Sequence, residues 1–122
     1  MDYFLEILRP GGYVVFTTRC WQFIEHLQTL RDGGNDLPEN MVAYVKRLCE
    51  DMPSPARIAR LHSEGKFQWY PMAGGLELTS DFWGETFIPK SYLSDKYGSM
   101  LVSFTEEIEH VDQSIVVIRK PL

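Results

Sequence analysis

The sequence predicts a single mixed α/β domain, and three observations lead to that prediction. Its 122 residues are the usual length of one domain. Apolar residues make up 44% of the chain, which is enough to fill a hydrophobic core. Short β-branched and aromatic runs alternate with segments in which apolar residues recur every three or four positions, and these spacings are typical of strands and of amphipathic helices.

Charge and cysteine content narrow the class of protein. The formal net charge is −5 and no basic stretch is interleaved with aromatic residues, so nucleic acid is not an expected partner. No apolar run approaches the ~20 residues of a membrane span, and the first residues have no signal-peptide pattern, so no membrane partner is expected. Cys20 and Cys49 have no C-x-x-C context and are expected to be free thiols, which fits a cytoplasmic location.

The N-terminal part of the chain predicts a helix, a strand and a second helix. Residues 2–8 have an apolar stripe on one face, and Pro10 and Gly11 end that helix. Residues 13–17 are a continuous run of β-branched and aromatic side chains. Such a run predicts a strand that is covered on both faces, as in the middle of an open parallel sheet. The second helix is predicted over residues 19–31.

The rest of the chain predicts two more helices and a terminal hairpin. Asp36 and Ser54 are N-cap residues of predicted helices, and Pro55 follows Ser54 at the first helical position. The remaining predicted elements are strands at 67–70, 85–88, 100–105 and 114–119 and a short helix at 89–97. An acidic loop joins the last two strands, which predicts an antiparallel hairpin.

The order of these elements resembles the C-terminal half of class I S-adenosylmethionine-dependent methyltransferases. Residues 8–18, LRPGGYVVFTT, are similar to the turn and fifth strand of that fold. Residues 84–92, GETFIPKSY, are similar to the stretch before the sixth strand in one bacterial subgroup, and residues 112–121 to the seventh strand. The resemblance covers nearly the whole chain. It implies a partial Rossmann-like sheet of strands five, six and seven, with a helical insert.

The resemblance also implies which part of such an enzyme this sequence does not contain. That family holds its cofactor with an acid-x-Gly-x-Gly loop and with an acidic residue at the end of a second strand. Neither motif occurs in these residues. We therefore expect no cofactor in the isolated chain, although an intact relative uses S-adenosylmethionine. The isolated chain is expected to be inactive, as a truncated reading frame, a mis-set start codon or a relic would be.

Two groups of residues are candidates for binding a substrate. Thr17, Thr18 and Arg19 follow the first strand, at the edge where open α/β sheets bind ligands. The alternative is that Thr17 or Thr18 only caps the next helix. The resemblance places the substrate cleft at the same strand end.

The second group is an aromatic segment with one carboxylate, namely Trp69, Tyr70, Trp83 and Glu85. Large aromatic side chains with a few polar atoms suit a small-molecule or protein contact. We predict that Trp69 and Trp83 line the most apolar accessible concavity, at the end of the first strand. The alternative is a satellite core beneath a long loop.

Histidines add one further candidate. His110 lies near the hairpin turn with Asp112 and Gln113, where these side chains could contact a substrate or simply be solvated. His26 and His62 lie on separate elements with no ligand spacing, so no metal site is predicted.

Two functions follow from these observations. The first is a methyltransferase-related domain whose acceptor is unknown and whose catalytic residues cannot be assigned. The alternative is a stand-alone, non-catalytic domain that binds a small molecule or a protein. We also predict a homodimer paired along residues 13–17, because the strand that pairs with this run in the resembling fold is absent here and the run has no charge or proline to protect an exposed edge. The alternative is that the first helix or residues 65–75 fold over this edge and leave a monomer.

Overall fold

The computed structural model describes residues 2–33, 39–72, 77, 79–81, 83–106 and 112–122, and shows a mixed α/β fold. In these residues five α-helices accompany two antiparallel sheets. The helices are α1 Asp2–Ile7, α2 Trp21–Arg31, α3 Glu39–Asp51, α4 Pro55–Ser63 and α5 Lys90–Tyr97. The strands are β1 Tyr13–Arg19, β2 Gln68–Pro71, β3 Gly84–Phe87, β4 Leu101–Thr105 and β5 Gln113–Arg119.

The larger sheet has the order β1-β5-β4, and β5 is antiparallel to both of its neighbours. The predicted C-terminal hairpin is therefore confirmed as β4 and β5. Alternate residues of β5 are buried, namely Ser114, Val116 and Ile118, because this central strand packs one face on the core. The ladder between β4 and β5 has an irregularity between Leu101 and Ser103.

The surroundings of β1 agree with the prediction in one respect and differ in another. The strand was expected to lack a neighbour on one edge, and in the described residues β1 is an edge strand that is antiparallel to β5. It was also expected to be covered on both faces, which it is not. Its outer face is open: Tyr13 and Val15 are 53% and 63% exposed. The apolar run correctly predicted a strand, but burial on both faces depends on elements elsewhere in the chain.

The predicted cap residue of α4 is confirmed by the structure. The Ser54 hydroxyl accepts a hydrogen bond from the Arg57 N–H at 3.3 Å, and Pro55 is the first residue of α4. The predicted helix at 19–31 begins at Trp21 instead, because Arg19 still belongs to β1. The predicted cap at Asp36 lies outside the described residues.

The smaller sheet pairs β2 with β3 and closes a core that the helices supply. Both strands were predicted, whereas their antiparallel pairing was not. Their inner side chains join a buried cluster that includes Phe23, Leu27, Leu48, Ile58 and Phe87. A second cluster between α5 and the larger sheet includes Leu93, Tyr97, Val116 and Ile118. No helix in the described part of the chain is long and apolar enough to cross a bilayer.

Candidate functional site

A cleft of 250 Å³ lies where the C-terminal end of β1 meets the beginning of β3. Five of the eight predicted site residues line it, namely Thr17, Thr18, Arg19, Trp83 and Glu85. Gly84, Thr86 and Gln113 complete the lining. The structure therefore brings the strand-end group together with half of the aromatic group, although these groups are more than sixty residues apart in the sequence.

The hydroxyl of Thr18 ties the two sides of this cleft together. It donates a hydrogen bond to the Thr86 carbonyl at 2.8 Å and accepts one from the Ile88 N–H at 3.0 Å. Thr18 is 2% exposed, so both backbone groups would be costly to leave without a partner. Thr18 thus bridges β1 and β3, and it does not cap α2, whose N-cap residue is Cys20.

Arg19 and Glu85 form a bidentate ion pair in the wall of the cleft. Arg19 Nε donates to Glu85 Oε2 at 2.6 Å, and a terminal guanidinium nitrogen donates to Oε1 at 3.0 Å. The Arg19 guanidinium carbon also lies 4.2 Å from the centre of the Phe23 ring. Both charged side chains are only 15% exposed, so the pair is fixed by geometry as well as by charge. The pair therefore joins the end of β1 to β3 in the wall of the cleft.

Gly84 lets β2 approach β3 closely at the mouth of the cleft. A Cβ atom at this position would collide with the carbonyl oxygen of Tyr70 and would lie 2.8 Å from Trp69 Nε1. Only glycine fits at this crossing without displacing one strand. The residues next to Gly84 in the sequence carry no sign of this close backbone approach, so its role could not be predicted.

The predicted site residues Trp69 and Tyr70 do not line this cleft. Tyr70 packs its ring against Phe87, with centroids 6.0 Å apart, and its hydroxyl donates to Gln68 Oε1 at 2.5 Å. Burial raises the pKa of the Tyr70 hydroxyl. Tyr70 therefore contributes to the packing of the smaller sheet. Trp69 is 42% exposed on β2, beside Gly84.

The predicted apolar concavity is also in a different place. A larger groove of 520 Å³ is lined by α1, by β1 and by two residues at the end of β3, with no tryptophan among its lining residues. Trp83 instead lines the smaller, more polar cleft and is 44% exposed. Neither Trp69 nor Trp83 therefore lines this apolar groove, which differs from the prediction that they share the most apolar concavity.

The predicted site residue His110 lies outside the described residues. His26 Nδ1 lies 3.4 Å from Asp112 Oδ2 on the surface. Among the residues that the structure describes, no three His, Cys, Asp or Glu side chains are grouped as metal ligands would be.

A third cavity, of 380 Å³, was not predicted from the sequence. Cys20, Trp21, His62, Lys90 and Glu106 contribute to its lining. Burial lowers the pKa of His62, whereas the nearby Glu106 carboxylate opposes that shift. The lowered pKa favours the neutral form of the His62 imidazole. These residues come from separate elements, so no local motif could have indicated this cavity.

Comparison of the chain with models of known protein families, with curated proteins and with solved structures finds no match in any of the three.

Proposed function

We propose that this chain is a methyltransferase-related domain that holds the acceptor side of a class I fold and binds a small acceptor in the cleft at the end of β1. The observation that carries the proposal is the sheet order. In the resembling fold, the fifth strand lies beside the seventh, and the sixth and seventh strands form a hairpin. The order β1-β5-β4, with β5 antiparallel to both neighbours, agrees with that arrangement.

The cleft supports a small and partly aromatic acceptor. Its 250 Å³ lies just below the ~300–1,000 Å³ of sites for drug-sized ligands, so a single-ring compound is the expected size. The exposed Trp83 indole provides an apolar surface, and Thr17 and Gln113 provide hydrogen-bonding groups. Methyl transfer depends mainly on proximity and orientation, and a rigid cleft supplies both for the acceptor.

Arg19 and Glu85 are proposed to shape this cleft. Both carboxylate oxygens of Glu85 accept hydrogen bonds from Arg19, so the carboxylate is already engaged. A general base needs an oxygen within hydrogen-bond reach of the acceptor's proton. Glu85 is therefore assigned to positioning Arg19 and β3, and no residue of the cleft is assigned to proton transfer.

The second candidate is a stand-alone binding domain that recognises a protein through its aromatic segment. The observation in its favour is that Trp69 and Trp83 are 42% and 44% exposed at the β2–β3 hairpin. Large exposed aromatic side chains are typical anchors of protein interfaces. This candidate differs from the first because it needs Trp69, which does not line the cleft.

We expect a small ligand of the cleft to be identified by nuclear magnetic resonance of the isotopically labelled chain. Single-ring polar fragments at about 1 mM should shift the amide signals of Arg19, Gly84 and Glu85 together, because a weak site is still substantially filled at that concentration. The substitution Trp83→Ala should abolish those shifts. Trp21→Ala is the matched control, since Trp21 is 40% exposed and lines the 380 Å³ cavity rather than the cleft.

Four results would contradict the cleft proposal. Fragments could fail to shift the cleft signals, they could shift only the signals around His62, or the Trp83→Ala chain could bind as well as the parent. Loss of binding in both tryptophan variants would also count against it, because the Trp21 side chain does not line the cleft.

A further inference from the structure

The direction of the backbone groups along β1 follows from two hydrogen bonds at its ends. The Gly12 carbonyl accepts from the Lys120 N–H at 2.8 Å, and the Cys20 N–H donates to the Asp112 carbonyl at 3.4 Å. The register between β1 and β5 is unbroken from one end to the other. In an antiparallel ladder, alternate residues direct both backbone groups to the same neighbour. Even-numbered residues of β1 therefore bond to β5.

The odd-numbered residues consequently direct their N–H and C=O groups away from β5. In the part of the chain that the structure describes, no strand pairs with this edge of β1. The outward-facing residues of β1 are Tyr13, Val15 and Thr17, followed by the charged Arg19 at its C-terminal end. Residues 13–17 contain none of the lysines, prolines or other charges that usually protect a strand edge.

A large apolar surface surrounds this edge. The 520 Å³ groove along β1 is lined by Phe4, Ile7 and Leu8 from the α1 side and by Thr86 and Ile88 from the other side. No charged side chain is among its described lining residues. No residue of α1 is buried, and Phe4 and Ile7 are 55% and 63% exposed.

The exposed apolar area matches what a specific dimer needs. Five large apolar side chains on α1 and β1 are between 53% and 68% exposed, namely Tyr3, Phe4, Ile7, Tyr13 and Val15. Aromatic side chains bury about 150–250 Å² each, so this set offers on the order of 600 Å² per chain. Two copies would together bury about 1,200 Å², the lower bound for stable and specific interfaces.

The opposite edge of the same sheet is protected. β4 is the other edge strand, and its ladder is irregular between Leu101 and Ser103. Such bulges twist an edge away from further pairing. Val102, at that irregularity, is 54% exposed and gives a matched position for comparison with Val15.

We propose that a second copy of this chain docks on the free edge of β1, antiparallel to it, about a two-fold axis through Val15. Val15 then faces the partner's Val15, and Tyr13 faces the partner's Thr17. The three outward residues of each copy would make about six hydrogen bonds across the axis, because antiparallel pairs of this kind exchange both of their bonds. The α1 helices flank the joined strands, and their apolar side chains are covered.

A second copy is favoured over another partner because the edge is complementary to itself. Two-fold pairing matches each N–H with a C=O of the same segment, and the uncharged lining brings no like charges together. This inference does not rest on the proposed function, since the groove and the cleft share only Thr17 and Thr86. Fragment binding without dimerisation, or the reverse, would separate the two proposals.

The proposal is tested by measuring the mass of the chain in solution. The parent is compared with two variants that carry a lysine on the β1 edge or on the β4 edge of the larger sheet. At about 20 μM the parent should sediment as a species of about 28 kDa, twice the chain mass of 14.2 kDa. Val15→Lys should raise the dissociation constant at least about 100-fold, because the two lysines would lie directly opposite each other. Val102→Lys should remain dimeric. Circular dichroism should show that both variants are folded.

Hydrogen exchange of the unmutated chain gives a second readout that no folding defect can obscure. The amides of Tyr13, Val15 and Thr17 should become protected as the concentration rises, whereas those of Val14 and Phe16 should be protected throughout. A parent of 14 kDa, a Val15→Lys dimer, or equal disruption by Val102→Lys would overturn the proposal. Protection of the odd-numbered amides that is independent of concentration would overturn it as well.

Discussion

Replacement of Phe87 by alanine is expected to lower the free energy of unfolding by about 3–5 kcal/mol. Phe87 is fully buried at the end of β3, and its ring lies 5.9 Å from that of Phe23 and 6.0 Å from that of Tyr70, measured between centroids. Truncation removes the apolar contacts of the ring and leaves a cavity between α2 and the smaller sheet. Domains of this size are stable by only about 5–15 kcal/mol, so the variant should unfold at much lower urea concentration.

Phe67→Ala is the matched control for this prediction. Phe67 is 45% exposed and contacts Tyr92 at a centroid distance of 5.8 Å, so it loses the same atoms from a partly solvated position. We expect it to cost less than about 1.5 kcal/mol. Urea denaturation followed by circular dichroism measures both variants. A similar loss in the two variants would mean that Phe87 is not central to the core.

Replacement of Thr18 by valine is expected to cost about 2–4 kcal/mol, although the two side chains have nearly the same shape. The Thr18 hydroxyl bonds to the Thr86 carbonyl and the Ile88 N–H, and Thr18 is 2% exposed. Valine would leave both backbone groups without this partner, and each such group costs about 1–3 kcal/mol when buried. The loss should also release β3 from β1 and so open the cleft.

Thr17→Val provides the control, because Thr17 is the exposed neighbour on the same strand. Its replacement should change the free energy of unfolding by less than about 0.5 kcal/mol. Thermal unfolding compares the two variants, and amide exchange of Ile88 reports the bridge directly. If Thr18→Val were as stable as the parent, with Ile88 still protected, the hydroxyl would not join the two strands.

The parts of the fold that could be predicted from the sequence are those that short segments determine. Ser54 and Pro55 are adjacent, and together they are enough to begin α4. The acidic loop joins two apolar runs that become β4 and β5. By contrast, the run that forms β1 predicts a strand without specifying its neighbours. Its antiparallel position at the sheet edge depends on β5, about a hundred residues later.

The candidate site shows the same difference between features that short segments determine and features that depend on distant strands. Arg19 and Glu85 were both candidates, but their ion pair joins positions 66 residues apart and no local pattern indicates it. Trp69 and Trp83 could not be distinguished in the sequence, where both belong to the aromatic segment. In the structure only Trp83 of the two lines the cleft. Gly84 went unnoticed because its role depends on the Tyr70 backbone of the partner strand. Side-chain types therefore indicated candidate residues, and the pairing of strands determined which of them line the cleft.

The central proposal is that this chain provides the acceptor side of a methyltransferase-related fold without the cofactor side. Titration calorimetry of the folded chain with S-adenosylmethionine at millimolar concentration tests it most directly. We expect no saturable heat, because the sequence has no acid-x-Gly-x-Gly loop to receive the cofactor. A dissociation constant below about 100 μM, equivalent to some 5.5 kcal/mol of binding free energy, would contradict the proposal.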